Sequence, residues 1–406
     1  MSSPALSANP RPMPRSLSYY VSRLVGFRRQ TIRILPQGVQ TGIAPSTTLR
    51  IVLPSNSLVD LESFGIFADL VAPANNTMPA NIDTALVQSL QVEVGGVQIA
   101  NISNYNQLMQ LLWSWTAGSD NRARRAYNQS GNGATIVGAT RKIAMQNFLP
   151  LTFKPSVIDT GLTGDIAITM NLASANISAS LSANRLAWAL NNLYASIDVI
   201  SFTDDSYSRM LREAVLGGVV LEIPFTNAQG YLQLVSSMAQ STRFVTSSSS
   251  VDMLVATCVN SDFDTNKNDA TVYSTDLPYY FKKEGDNITD WQFTINGTAV
   301  PAFPVLADYT PSYNAVALSQ AYDLLGGHFL TTQTNIQQHF GAFLKLNASL
   351  GAEEGSRYLS GLDTRGTNAQ FEFKTSGDAV SALVMVWAVM TSVLRVGAMK
   401  QIEVVL

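Results

Sequence analysis

Two short segments of this chain alternate apolar and polar residues, turn on a dipeptide, and alternate again. The first is LQVEV–Gly95–Gly96–VQIA and the second is WQFTI–Asn296–Gly297–TAV. A two-residue hairpin turn that follows the strand twist needs positive φ at both central positions, which Gly-Gly and Asn-Gly supply. The turns lie 201 residues apart in a chain of 406. Each hairpin leads into an apolar stretch with helical spacing: NYNQLMQLLWSW, with Asn104 as N-cap, and NAVALSQAYDLLG. A second pair of landmarks follows in the same order, GLTGDIAITM from Gly161 and GLDTRGTNAQFEF from Gly361, at an offset of 200. Repetition at half the chain length predicts a duplicated β unit rather than one large core.

The remaining elements fit that reading. TLRIVLP, ESFGIFADLVA and NLYASIDVISF read as strands of the first unit, and VVLEIPF, RFVT and VDMLVATCV as strands of the second. The fold class expected is all-β with a few short helices: two tandem eight-stranded jelly rolls, at 46–215 and 216–406, behind a basic N-terminal arm at 1–45. SYSRMLREAVLG reads as a helix ending at Gly217. The turn-rich stretches 117–145 and 260–290 are expected at the ends of the rolls, where loops tolerate insertion. The longest apolar run, Ala379–Leu394, falls short of the about 20 residues that a membrane helix needs, and its valines favour one or two buried strands.

Charge is sparse and uneven. Charged residues make up 14% of the chain, against roughly 25% in an average soluble protein, so much of the surface is expected to meet other protein. The first acid is Asp60, whereas Arg11, Arg15, Arg23, Arg28, Arg29, Arg33 and Arg50 precede it. In SLSYYVSRLVGFRRQ, Leu17, Tyr20, Val21, Leu24 and Val25 fall at helical spacing beside Arg23, Arg28 and Arg29, which predicts a short basic amphipathic helix. Such a segment suits an anionic partner, although a helix packed on the protein's own body fits the spacing equally. Cys258 is the single cysteine, so no disulfide forms within the chain, and no secretory leader is visible; assembly inside a cell is the expectation.

The usual carriers of chemistry are missing. There is no Walker loop, HExxH, CxxC pair or GxSxG elbow. His328 and His339 sit among apolar neighbours and read as structural. Asp262, Asp264 and Asn266 are spaced like the first calcium ligands of an EF-hand. Lys267 and Tyr273 then stand where glycine and the bidentate acid belong, so the stretch reads as a polar loop. Arg122, Arg124 and Arg125 read as a solvated loop or a subunit contact, and Trp113 and Trp115 as packing residues. No cofactor, metal or catalytic group is assigned, and the protein is not expected to be an enzyme.

VEVGGVQIANISNYNQLMQLL, at 92–112, resembles the strand–turn–strand–helix module of major capsid proteins of the double jelly-roll lineage. FLPLTFKPSVIDTGLTGDIAITMNLA resembles the segment that enters the later strands of the first barrel there. That lineage includes tailless membrane-containing phages, adenoviruses, virophages and large eukaryotic DNA viruses. As architecture the resemblance covers roughly 45–406. It implies a structural protein of the virion, assembled inside the host cell: a homotrimer that forms pseudo-hexagonal capsomers and tiles an icosahedral shell, with minor capsid proteins as further partners. Arg11, Arg15, Arg23, Arg28, Arg29 and Arg33 are then expected to face an inner layer of membrane, minor protein or genome. The alternatives are a minor capsid or penton protein, and a β-sandwich carbohydrate-binding or glycosidase-like protein.

Overall fold

The computed structural model describes residues 27–72, 76–79, 82–116, 140–146, 148–180, 187–202, 213, 217–265, 279–314, 339–347, 361–366, 369–397 and 401–406. Eight main strands build the first unit, beside short ones at Asn76–Thr77, Val157–Asp159 and Ala179–Ser180: β1 (Phe27–Ile34), β2 (Thr48–Val52), β3 (Leu58–Val71), β4 (Val87–Val94), β5 (Val97–Ile102), β6 (Thr140–Gln146), β7 (Ile166–Leu172) and β8 (Ala189–Phe202). They form two antiparallel sheets, in the orders β1-β8-β3-β6 and β2-β7-β4-β5. Eight more build the second unit: β9 (Leu221–Val235), β10 (Gln240–Val245), β11 (Val251–Asn260), β12 (Ile288–Ile295), β13 (Thr298–Leu306), β14 (Ala342–Lys345), β15 (Gln370–Gly377) and β16 (Ala382–Val396). Their orders are β9-β16-β11-β14 and β10-β15-β12-β13. Every strand of the second unit holds the place of the strand eight positions before it. Two jelly rolls in tandem are therefore present, as the repeat predicts.

The two turns occupy equivalent places, each joining the fourth and fifth strand of its roll. Gly95 and Gly96 have φ of 55° and 82°, and Asn296 and Gly297 have 49° and 80°. Gly161 and Gly361 both lie in the connection into the seventh strand. After the first hairpin comes α1 (Tyr105–Thr116), whose opening amides reach the Asn104 carbonyl. Of the second expected helix, which starts at Asn314, only that first residue is described, at the end of a helical turn at 310–314. The expected helix ending at Gly217 also falls largely outside the described residues.

The N-terminal reading needs correction. Residues Phe27–Gln30, assigned above to a basic helix, are the first half of β1, which pairs with β8 over all eight of its residues. Helical spacing ends at Val25, and the β-branched Thr31, Ile32 and Ile34 then favour a strand, with a partner that supplies the ladder. The first roll thus begins at Phe27, within the span 1–45 assigned to an arm. The long apolar run is a single strand, β16, and among the described residues no helix is long and apolar enough to cross a membrane. A last strand, β17 (Ile402–Val405), pairs with the end of β16.

The first turn is more constrained than the second. A Cβ on Gly95 would stand 2.6 Å from the Thr163 carbonyl oxygen and would run into the Ile402 side chain, whereas nothing lies within 4 Å of one on Gly96. Gly96→Val meets only the resistance of a β-branched residue to positive φ, about 1–3 kcal/mol. Gly95→Val adds a backbone clash and is expected to destabilise the protein more. Urea unfolding of the two variants checks the order; equal midpoints would contradict the packing described here.

Candidate assembly interface

The joint between the rolls is built by α1 and the end of β5. Along α1, Tyr105, Leu108, Leu111, Leu112 and Trp115 are buried. They belong to one hydrophobic cluster that runs from the first roll into Ile223, Phe225, Met253, Val255, Phe343, Met385, Trp387 and Val389 of the second. Trp115 meets Phe343 edge-on at 6.0 Å and donates its indole N–H to the His339 carbonyl at 2.9 Å. Phe153 stacks on Phe225 at 4.9 Å. Two glycines let these rings approach. A Cβ on Gly341 would meet Leu111 Cδ1 at 2.8 Å, and one on Gly230 would meet Trp387 at 3.1 Å.

Polar groups caught in the joint are paired across it, as burial requires. Asn227 donates to the Ile99 carbonyl at 3.1 Å, and the Lys154 amide donates to the Pro224 carbonyl at 2.9 Å. Gln107 donates to the Tyr280 carbonyl at 2.7 Å and accepts from the Lys283 amine, while Asn106 donates to the Tyr280 hydroxyl at 3.2 Å. Burial lowers the Lys283 amine to about 7. The neighbouring Cys258 thiol is itself pushed up to about 12 by burial. Sequence reasoning missed Gln107 and Lys283; the one hint was a lysine pair directly after the aromatic run YYF.

The matching outer face of the first roll is different. Arg29, on β1, bonds the Asp60 carboxylate at 2.7 Å and also the Asp198 carboxylate. The Thr31 hydroxyl and then Arg29 hold Asp198 below the usual carboxylate range. Arg33 lies 4.3 Å over the Tyr194 ring, and Tyr194 stacks on Phe67 at 5.4 Å. Arg28 is exposed on the same strand. Of the six arginines assigned to an inner-layer contact, Arg28, Arg29 and Arg33 thus stand together on β1, two of them engaged with the first roll itself. Arg11, Arg15 and Arg23 lie outside the described residues, as do His328, Arg122, Arg124 and Arg125. Asp262 accepts from the Tyr279 hydroxyl at 2.6 Å, and Asp264 accepts from Asn176 of the first roll at 3.0 Å. The carboxylates that mimic a calcium loop are therefore ties within the protein. Among the described residues no group of three or more His, Cys, Asp and Glu could hold a metal ion.

As a sequence, the chain matches no protein-family model and no curated protein. As a structure it is similar to VP54 of PBCV-1, as fitted into a reconstruction of the virophage Sputnik. The TM-score is 0.68 at 14% identity, over 96% of this chain and 99% of that one. The Faustovirus major capsid protein gives 0.61 at 8% identity, over 95% and 93%. The mavirus major capsid protein gives 0.51 at 8% identity, over 99% and 96%. The chain has the double jelly-roll fold of viral major capsid proteins. This double jelly roll is matched along nearly its whole length, so the likeness includes the arrangement of one roll against the other.

The buried amine makes the joint sensitive to pH. An unfolded lysine titrates near 10.5, so between about 7 and 10.5 the unfolded chain binds the additional proton and stability rises with pH. Below about 7 both states are charged and the full burial penalty, on the order of 5 kcal/mol, is present. The urea midpoint is expected to rise from pH 7 to pH 9.5, and Lys283→Met is expected to flatten that rise. The same rise in both proteins would show that Lys283 is not its source.

Proposed function

We propose that this protein is a structural major capsid protein of a virion, working as a homotrimeric pseudo-hexagonal capsomer that tiles an icosahedral shell. The observation that carries the reading is the pair of like rolls held in one fixed orientation by a shared hydrophobic joint. Three such chains around an axis present six similar rolls, a shape suited to hexagonal tiling. A cyclic trimer uses a heterologous contact, in which two different surfaces of each chain meet. The low charge content supports extensive burial between copies and between capsomers. The shell would assemble inside the host cell, and minor capsid proteins would fill contacts that the trimers leave.

Light scattering at micromolar protein and neutral pH is expected to give three times the 43.9 kDa chain mass. A monomer under those conditions would refute the capsomer reading.

The N-terminal segment is the contact with an inner layer of lipid, minor protein or genome on this reading. Its unbalanced charge then rests on Arg11, Arg15 and Arg23, with Arg28 at its root. Each basic residue near an anionic membrane contributes about 1 kcal/mol at low salt. Removing residues 1–26 leaves β1 whole and is expected to yield soluble trimers that assemble poorly into particles. Cutting to residue 30 would remove half of β1 and confuse the result with unfolding. Normal particles from the 1–26 deletion would leave the segment without an anchoring role.

A further inference from the structure

Strand β3 has an interrupted ladder on the side away from β8. There β6 pairs with Gly65–Val71 and the short strand Val157–Asp159 pairs with Leu58–Asp60, which leaves a gap from Leu61 to Phe64. Residues 148–156 pass this gap on their way to the second roll, where Phe153 stacks on Phe225 and the Lys154 amide reaches the Pro224 carbonyl. Between β3 and this segment lies a pocket of about 400 Å3, beside the joint of the two rolls.

The inner wall of the pocket is apolar. Leu61, Phe64, Phe148, Leu151 and Phe153 line it, and each of them is buried. The mouth carries two opposite charges. Glu62 and Lys154 also line the pocket, and both are exposed. Their carboxylate and amine make no hydrogen bond or ion pair with each other or with another described residue. Nearby charges of the same roll do pair: Arg29 with Asp60 and Asp198, and Arg50 with Glu93.

A concave apolar pocket of this size next to a domain joint, with a few polar groups at its rim, has the makeup of a small-molecule site. Water is a poor occupant, because the inner wall offers it no hydrogen bonds. The two unpaired charges define the head that the rim takes. A purely anionic head would suit Lys154 and oppose Glu62, and a purely cationic head would do the reverse. A head with both charges satisfies both side chains.

We propose that this pocket binds a single zwitterionic amphiphile, with its apolar body against the phenylalanines and its cationic and anionic groups on Glu62 and Lys154. Every residue involved belongs to one chain, so the inference stands apart from the trimer reading.

The test is isothermal titration of the full chain at low salt with probes that share a decyl tail, each below its micelle concentration: decylphosphocholine, decyl maltoside, decanoate and decylamine. Decylphosphocholine is expected to bind once per chain and about tenfold more tightly than the other probes. Glu62→Gln and Lys154→Gln change exposed side chains, so both variants are expected to keep the wild-type circular dichroism and unfolding midpoint. Each is expected to bind decylphosphocholine about tenfold more weakly and decyl maltoside as before. No saturable binding of decylphosphocholine would overturn the proposal, as would equal or tighter binding of any other probe. An undiminished affinity for decylphosphocholine in either glutamine variant would overturn it too, by placing the head away from this mouth.

Discussion

The structure depends on one strand that is buried on both faces. Along β16, Ala382, Val384, Val386, Ala388 and Met390 point into the second roll's own core, while Met385, Trp387 and Val389 point into the cluster shared with the first roll. A strand in a one-sided sheet alternates apolar and polar residues; one covered on both sides reads as a continuous apolar run. That is the physical origin of ALVMVWAVM. Each large side chain taken fully out of water contributes about 1.5–3 kcal/mol. Parting the rolls would expose a whole row of them, together with the amides and amine of Gln107 and Lys283. The joint is therefore part of the folded core, and the two rolls share one orientation because they share one hydrophobic interior.

How well the sequence forecast this varied with the range of the interaction. The turns at Gly95-Gly96 and Asn296-Gly297 were legible because their chemistry is local: positive φ at two adjacent positions allows few residues. The duplication was legible because both turns kept their place in the topology. The N-terminal strand was not legible, since its pairing with β8 joins residues about 170 apart, such as Arg28 and Ser201, and no local pattern declares a distant partner. The same holds for Gln107 with Lys283, and for Asp264 with Asn176, where a loop spaced like a cation site proves to be a latch between rolls. Trp115 was legible as a packing residue, but its partners Phe343 and His339 were not.

The two halves share a topology and differ where their surroundings differ. Position six of the eighth strand is Trp387 in the second roll and Tyr194 in the first. Around Trp387 the outer face is apolar, with Met385, Val389 and Phe225 in the shared cluster. Around Tyr194 it carries Arg29, Arg33, Asp60 and Asp198. A face covered by its own chain is buried as the chain folds and never has to be soluble. The Tyr194 face stands half-buried at the surface and must remain soluble. An aliphatic surface there would promote aggregation, whereas a cation–π pair and a bridged arginine remain hydrated. At the edge of the second roll, Pro301 and Pro304 remove ladder donors from β13 and so reduce the risk that it joins edge to edge with another sheet. The divergence of the two rolls at their eighth strands thus follows which of the equivalent outer faces the chain's own fold covers.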